Sequence, residues 1–135
     1  MTAEFGHHYI AGQWLSDAPN GFSEVENPSD GSIIGTAPNG SAGLAENAVM
    51  AAREAFESTD WASNPRQRAA ALLEFADILE RRADEIAALM ARENGKVLAQ
   101  ARHEVAAGYG EARYYAGVAR NVFGRTFESG AGKLS

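Results

Sequence analysis

The chain has 135 residues, 45% apolar and 22% charged, the balance of an ordinary soluble globular domain able to bury a core. A net charge of −6, with twelve Lys and Arg scattered among eighteen acids, excludes the basic face that nucleic acid requires. The absence of cysteine excludes disulfides, thiolate metal sites and a cysteine nucleophile within these residues.

Met1 to His8 carries neither the basic nor the apolar region of a signal peptide, and no apolar run reaches membrane length. The expectation is a cytoplasmic protein with no nucleic-acid and no membrane partner. Up to Gly40, turn residues punctuate short runs. Tyr9 to Leu15 reads as two short strands around a tight turn at Gly12, and Phe22 to Glu26 alternates as a half-buried strand does. Asn27-Pro28 and Ser29-Asp30-Gly31 supply turn chemistry before a third extended run, Ile33 to Ala37, closed by Pro38-Asn39-Gly40.

After Gly40 the period becomes helical. Ser41 is a good N-cap, and Leu44, Ala48, Ala51, Ala52, Ala55 and Phe56 share a face of a helix that stops near Ser58-Thr59. Asn64, Pro65 and Gln67 form a variant capping box for a second start. From Ala69 through Leu72, Leu73, Ala76, Leu79, Ala83, Ile86 and Ala87 to Met90 one apolar stripe persists, with a break expected at Arg81 to Asp84 and a left-handed cap at Gly95. A last helix is expected from Leu98 to Val122. Its line of Val105, Tyr109, Ala112, Ala116, Ala119 and Phe123 is widened by Tyr114, Tyr115, Val118 and Val122, so it needs cover on more than one side.

Catalytic motifs fail one by one. His103-Glu104 opens like a zinc-protease helix, but position 107 is Ala, and a solvent-facing histidine is expected instead. Gly108-Tyr109-Gly110 lacks both a preceding strand and the third glycine, where Arg113 stands, so helix packing is the expected role. Gly130-Ala131-Gly132-Lys133 lacks the flanking residues of a phosphate loop, since Phe127 and Leu134 occupy them. Asn39-Gly40-Ser41 fits a glycosylation sequon but reads as a turn. Glu93 ends a helix whose dipole it opposes, which leaves it to bind a cation, pair with Lys96 or face water.

The ordered set of segments carries more information than any motif. It runs Tyr9-Ile10-Ala11-Gly12-Gln13-Trp14, Glu26-Asn27-Pro28 with Gly31, Ala51-Ala52-Arg53-Glu54-Ala55-Phe56, Trp61, then Pro65 with Arg68. Ala76-Asp77-Ile78-Leu79-Glu80, Glu93-Asn94-Gly95-Lys96, Arg113-Tyr114-Tyr115-Ala116-Gly117 and Gly124-Arg125-Thr126 follow. From His8 to Ser135 this resembles the N-terminal quarter to third of the NAD(P)-dependent aldehyde dehydrogenase superfamily, and within it the betaine-aldehyde-dehydrogenase-like group.

The resemblance implies an α/β parent with a Rossmann-like cofactor domain, a catalytic domain and a small oligomerisation arm. This chain would be its mostly α-helical beginning with short N-terminal β-strands. Residues 1–40 would be strands and turns, 41–124 the helical layer of the cofactor domain, and 125–135 the truncated start of the oligomerisation arm, entered near Lys133-Leu134-Ser135. It further implies aldehyde oxidation to a carboxylic acid with NAD or NADP through a cysteine thiohemiacetal. The nucleophile, the oxyanion asparagine, the cofactor glycines and the general-base glutamate would all lie beyond Ser135, so the isolated chain is expected to be inactive. The implied partners are the remainder of its own subunit and further copies in a homodimer or homotetramer. Many relatives of this kind hold a structural Na+ or K+; by position the backbone carbonyls of Val25 and Glu26 and the side chain of Glu93 would be ligands. The rival expectation is a freestanding helical binding or regulatory module without enzymatic activity, using the wide apolar face of the last helix as a partner groove.

Overall fold

The computed structural model describes residues 4–121, 128–130 and 133–134. The segment at 125–127 and the Gly130 to Lys133 run in its middle therefore lie outside the described residues, as does the expected helix extension to Val122 and Phe123.

Five short strands come first: β1 (Glu4–Phe5), β2 (His8–Ile10), β3 (Gln13–Leu15), β4 (Phe22–Glu26) and β5 (Ile33–Pro38). β2 and β3 pair antiparallel as the expected hairpin, His8 opposite Leu15 and Ile10 opposite Gln13. Both turn residues, Ala11 (φ 52°) and Gly12 (φ 77°), are left-handed, as a two-residue turn needs if its twist is to match the strands. The other sheet has the order β1-β5-β4, with β4 antiparallel to β5 and β1 parallel to it. β1 is a strand that the sequence reading did not contain. The register of β4 against β5 shifts between Val25 and Glu26, where Val25 faces Gly35 and Glu26 faces Ile33.

Four helices follow: α1 (Ala42–Ser58), α2 (Pro65–Arg81), α3 (Ala83–Asn94) and α4 (Leu98–Ala119). The Ser41 hydroxyl accepts from Leu44 N at 3.2 Å, and Asn64 Oδ1 accepts from Gln67 N at 3.1 Å with Pro65 at the first helical position. Both caps are thus the ones the sequence marks. The long stripe breaks at Arg82 alone; Asp84 and Glu85 then fall in the first turn of α3, where the helix dipole favours acids, and Glu85 pairs with Arg82. α4 ends earlier than Val122 because the backbone tightens: Arg120 N donates to Gly117 O and Asn121 N to Val118 O, and the Asn121 amide also donates to Gly117 O at 2.8 Å. Past the helices, β6 (Glu128–Gly130) and β7 (Lys133–Leu134) pair antiparallel, so a strand does lie at Lys133-Leu134.

α4 is the spine of the helical layer, packed along α2 and against α3. The buried apolar side chains among the described residues are Ala69, Ala76, Ala87, Ala101, Val105, Ala112 and Ala116, with no large side chain fully buried. Alanines on facing helices let the backbones approach closely. They also leave the larger apolar groups at the edges, where Tyr114 (64% exposed), Tyr115 (55%), Phe75 (55%) and Leu73 (47%) stand open. α1 buries no residue; Leu44, Ala48 and Ala51 of its apolar face are half-covered, while Phe56 is exposed.

Candidate functional site

The three residues named as ligands meet only in part. β5 carries the central strand of its sheet past the C-terminal turn of α3. There Val25, Gly35, Thr36, Leu89 and Glu93, with Gly6 and Ile34, line a hollow of about 180 Å³. Val25 and Glu93, 68 residues apart by number, therefore share one depression. Glu26 follows Val25 in β4 across the register shift, with its side chain exposed.

The local chemistry explains how this corner is held. Asn27 N donates to Ser32 O, Gly31 N donates to Asn27 O, and the Asp30 carboxylate accepts from both the backbone N–H and the hydroxyl of Ser32. Those two hydrogen bonds, the hydroxyl's first, hold the Asp30 carboxyl below its ordinary range. The turn brings Pro28 onto the end of α3, where Gly95 sits at φ 71° and gives its N–H to Ala91 O. A Cβ on Gly95 would come within 2.8 Å of Pro28 Cγ, so that position requires glycine on two independent counts. Lys96 turns away from Glu93 and pairs instead with Glu104 at 2.6 Å, bridging the α3–α4 connection. That removes one of the three roles open to Glu93.

The hollow is lined mostly by apolar groups, with the Thr36 hydroxyl and the Glu93 carboxylate as its polar side chains. Among the described residues no three His, Asp or Glu side chains gather as a metal site. Thr36 Oγ1 is buried on the hollow's wall with no hydrogen-bond partner among the described residues, leaving it free for one more contact. A hydroxyl and a single carboxylate suit a weakly charged hard cation better than a transition metal. Thr36 was missed in the sequence, where nothing distinguishes it from any other strand threonine.

The remaining motif residues take structural places. His103 is exposed on α4, as expected. Gly108 and Gly110 lie inside α4, where no loop can cradle a phosphate. A Cβ on Gly108 would meet Leu79 of α2 at 3.5 Å, the expected packing role, but one on Gly110 would meet nothing, so packing does not explain that glycine. Arg113 ties α4 to α2 by donating to Asp77 at 2.9 Å and to Glu80, and it lies 5.4 Å from the Tyr109 ring centre. The two carboxylates, Glu80 first, raise its pKa further above the ordinary arginine value. A second hollow, of about 380 Å³, opens between α2 and α4 and is lined by Trp61, Arg68, Leu72, Tyr115 and Val118 among others. Arg68 is pinned there by the carbonyls of Trp61 and Ala62.

A strand-and-turn segment leads into helices of which α2, α3 and α4 pack on small residues, and no cluster of three metal-ligating side chains gathers among the described residues. The model of the aldehyde dehydrogenase family matches residues 14–135, and the chain belongs to that family. It is 41% identical over 112 residues to alpha-ketoglutaric semialdehyde dehydrogenase of Bacillus subtilis, a match covering 82% of this chain and 22% of that protein. Its fold superposes with a TM-score of 0.92 on an NAD-dependent aldehyde dehydrogenase from Sinorhizobium meliloti, at 29% identity, over 98% of this chain and 27% of that one. A betaine aldehyde dehydrogenase point mutant from Staphylococcus aureus, solved with NAD+, gives 0.86 at 28% identity, over 91% and 25%. The chain thus spans about a quarter of the length of the relatives it matches. The betaine-aldehyde group is not singled out, since a semialdehyde dehydrogenase is the more similar in sequence.

Proposed function

We propose that this chain forms the N-terminal part of a subunit that oxidises an aldehyde to a carboxylic acid with NAD or NADP, and that its work there is scaffolding. The match of the family model from residue 14 to residue 135 carries the reading. The exposed tyrosines, Phe75 and Leu73 of α2 and α4 support it, because apolar groups of that size on a helical layer need further protein against them. The nucleotide supplies the hydride acceptor when bound; no described residue of this chain is assigned to it. The cysteine whose thiolate attacks the aldehyde lies outside this sequence. The remainder of the subunit, and a homodimer or homotetramer of such subunits, are the proposed partners. No helix among the described residues is long and apolar enough to cross a membrane.

Extending the reading frame past Ser135 tests this directly. A glycine-rich cofactor loop and a cysteine whose loss abolishes NAD(P)-dependent aldehyde oxidation support the proposal. A stop codon at that point favours the freestanding module, with the Trp61–Tyr115 hollow as its partner groove. The purified 135-residue chain is expected to reduce neither NAD+ nor NADP+ in the presence of aldehydes.

The hollow at Val25, Thr36 and Glu93 is proposed to hold Na+ or K+, with the Val25 and Glu26 carbonyls and the Glu93 carboxylate as ligands. The bound ion would supply positive charge at the C-terminal end of α3, where the helix carries negative partial charge and Glu93 adds a full one. Replacing Glu93 with Ala should abolish stabilisation of the whole subunit by K+ over a bulky organic cation. An unchanged melting difference between the two salts sinks the assignment.

A further inference from the structure

The sequence holds three Asn-Gly pairs, Asn20-Gly21, Asn39-Gly40 and Asn94-Gly95. Such a pair is chemically labile because the glycine amide nitrogen can attack the asparagine carboxamide carbon with no Cβ in the way. Whether it does so in a folded chain depends on what that nitrogen is already bonded to. Gly21 N donates to Ala18 O at 2.9 Å, and Gly95 N donates to Ala91 O at 3.0 Å in the helix cap. Both nucleophiles are engaged. Gly40 N has no acceptor among the described residues, although Gly40 itself is anchored through its carbonyl, which accepts from Asn20 Nδ2 at 2.7 Å.

The electrophile differs as well. Ser23 Oγ donates to Asn39 Oδ1 at 2.8 Å. That oxygen takes the negative charge when the carboxamide carbon becomes tetrahedral, and a hydroxyl already aimed at it stabilises the charge as an oxyanion hole does. Asn39 Nδ2, the leaving group, is held only by a 3.3 Å contact to Asn20 O. Among the described residues neither other pair has a side-chain donor on its amide oxygen, and Asn94 Oδ1 accepts only from Lys96 N at 3.4 Å.

We propose that Asn39 is a self-modification site, deamidating with assistance from Ser23. Gly40 N loses its proton to solvent base and bonds to Asn39 Cγ; the Cγ–Nδ2 bond then breaks, and ammonia leaves with a proton from water. The resulting succinimide is hydrolysed by water at either carbonyl, giving aspartate or isoaspartate, with no change of oxidation state. The aspartate product places a carboxylate two residues before the Ser41 cap of α1, a helix with no acid in its first turn. The isoaspartate product adds a backbone carbon and unhooks the Ser23 and Asn20 contacts, loosening the junction between β5 and α1.

The test is peptide mapping by mass spectrometry of the 135-residue chain held in mildly alkaline buffer, folded and in denaturant. The expected result is amide-to-acid conversion at Asn39 severalfold faster than at Asn20 or Asn94 in the folded chain, the three rates converging in denaturant. Ser23→Ala should slow Asn39 severalfold. Gly40→Ala should nearly stop it, and the added Cβ meets nothing closer than 3.6 Å, so that variant keeps the fold. Circular dichroism on both variants checks this. Conversion first at Asn20 or Asn94, no conversion at Asn39, selectivity that persists in denaturant, or an unchanged or faster rate in Ser23→Ala overturns the proposal.

Discussion

From β1 to β5 the only buried residue among those described is Gly35, and shape comes from turns, caps and side-chain hydrogen bonds at the surface. From α2 to α4 the buried residues are six alanines and one valine, and shape comes from close contact between helices. The first region is specified locally: each turn carries its own chemistry, so a change there alters one corner. The second is specified mutually, since an alanine has no preferred partner and fits only because the opposite helix is also small there. Damage to the helical layer should therefore spread, and damage to the strand segment should stay put.

The largest expected effect breaks the helical layer. Ala76 is fully buried between α2 and α4, and Ala76→Leu should cost about 3 kcal/mol, because a well-packed contact absorbs extra methylenes only by displacing backbone. Thermal unfolding followed by circular dichroism checks it. A loss under about 1 kcal/mol would mean that the layer is loosely packed and that the contrast is false.

Next comes a point where the two regions touch. Gly95→Ala should cost about 2 kcal/mol, combining the left-handed backbone penalty with the collision against Pro28. Pairing it with Pro28→Ala in a double-mutant cycle separates the two causes: the collision term should vanish and the backbone term remain. Full additivity would show that the strand segment does not press on α3.

Smaller effects sharpen the local side. Asn64→Ala removes the cap of α2 and should cost about 1 kcal/mol in urea unfolding, with Asn64→Ser restoring most of it. Ala11→Gly relieves a non-glycine residue at φ 52° in the hairpin turn and should stabilise by about 0.5 kcal/mol. If Ala11→Gly destabilises, the added freedom of the unfolded chain outweighs the relieved strain, and the β2–β3 turn is less demanding than its dihedrals imply.

Much of this molecule was legible without coordinates. Ser41, Asn64-Pro65 and Gly95 mark helix ends with side chains that bond to their own neighbours, and the structure places the ends of α1, α2 and α3 there. The Arg81 to Asp84 break and the Gly12 hairpin were readable for the same reason. The end of α4 was less so: its apolar pattern runs on toward Phe123, while the backbone closes at Ala119 through bonds to Gly117 and Val118.

Of the candidate site, Val25 and Glu93 were named from the family resemblance, and the fold brings them to one hollow. Residue chemistry alone said of Glu93 only that it opposes its helix dipole. Tertiary packing decided the rest: the parallel docking of β1 on β5 and the choice of Glu104 over Glu93 by Lys96. Thr36 joins the hollow for the same cause, as a strand threonine whose surroundings come from other segments. The sequence by itself determined the starts of α1 and α2, the break between α2 and α3, the end of α3 and the Gly12 turn, because caps and turns are contacts between residues a few positions apart. Only the tertiary structure decided that Lys96 meets Glu104 and that Val25 and Glu93 share a hollow, because contacts between separate elements, 68 residues apart for the second pair, leave no periodic trace in the chain.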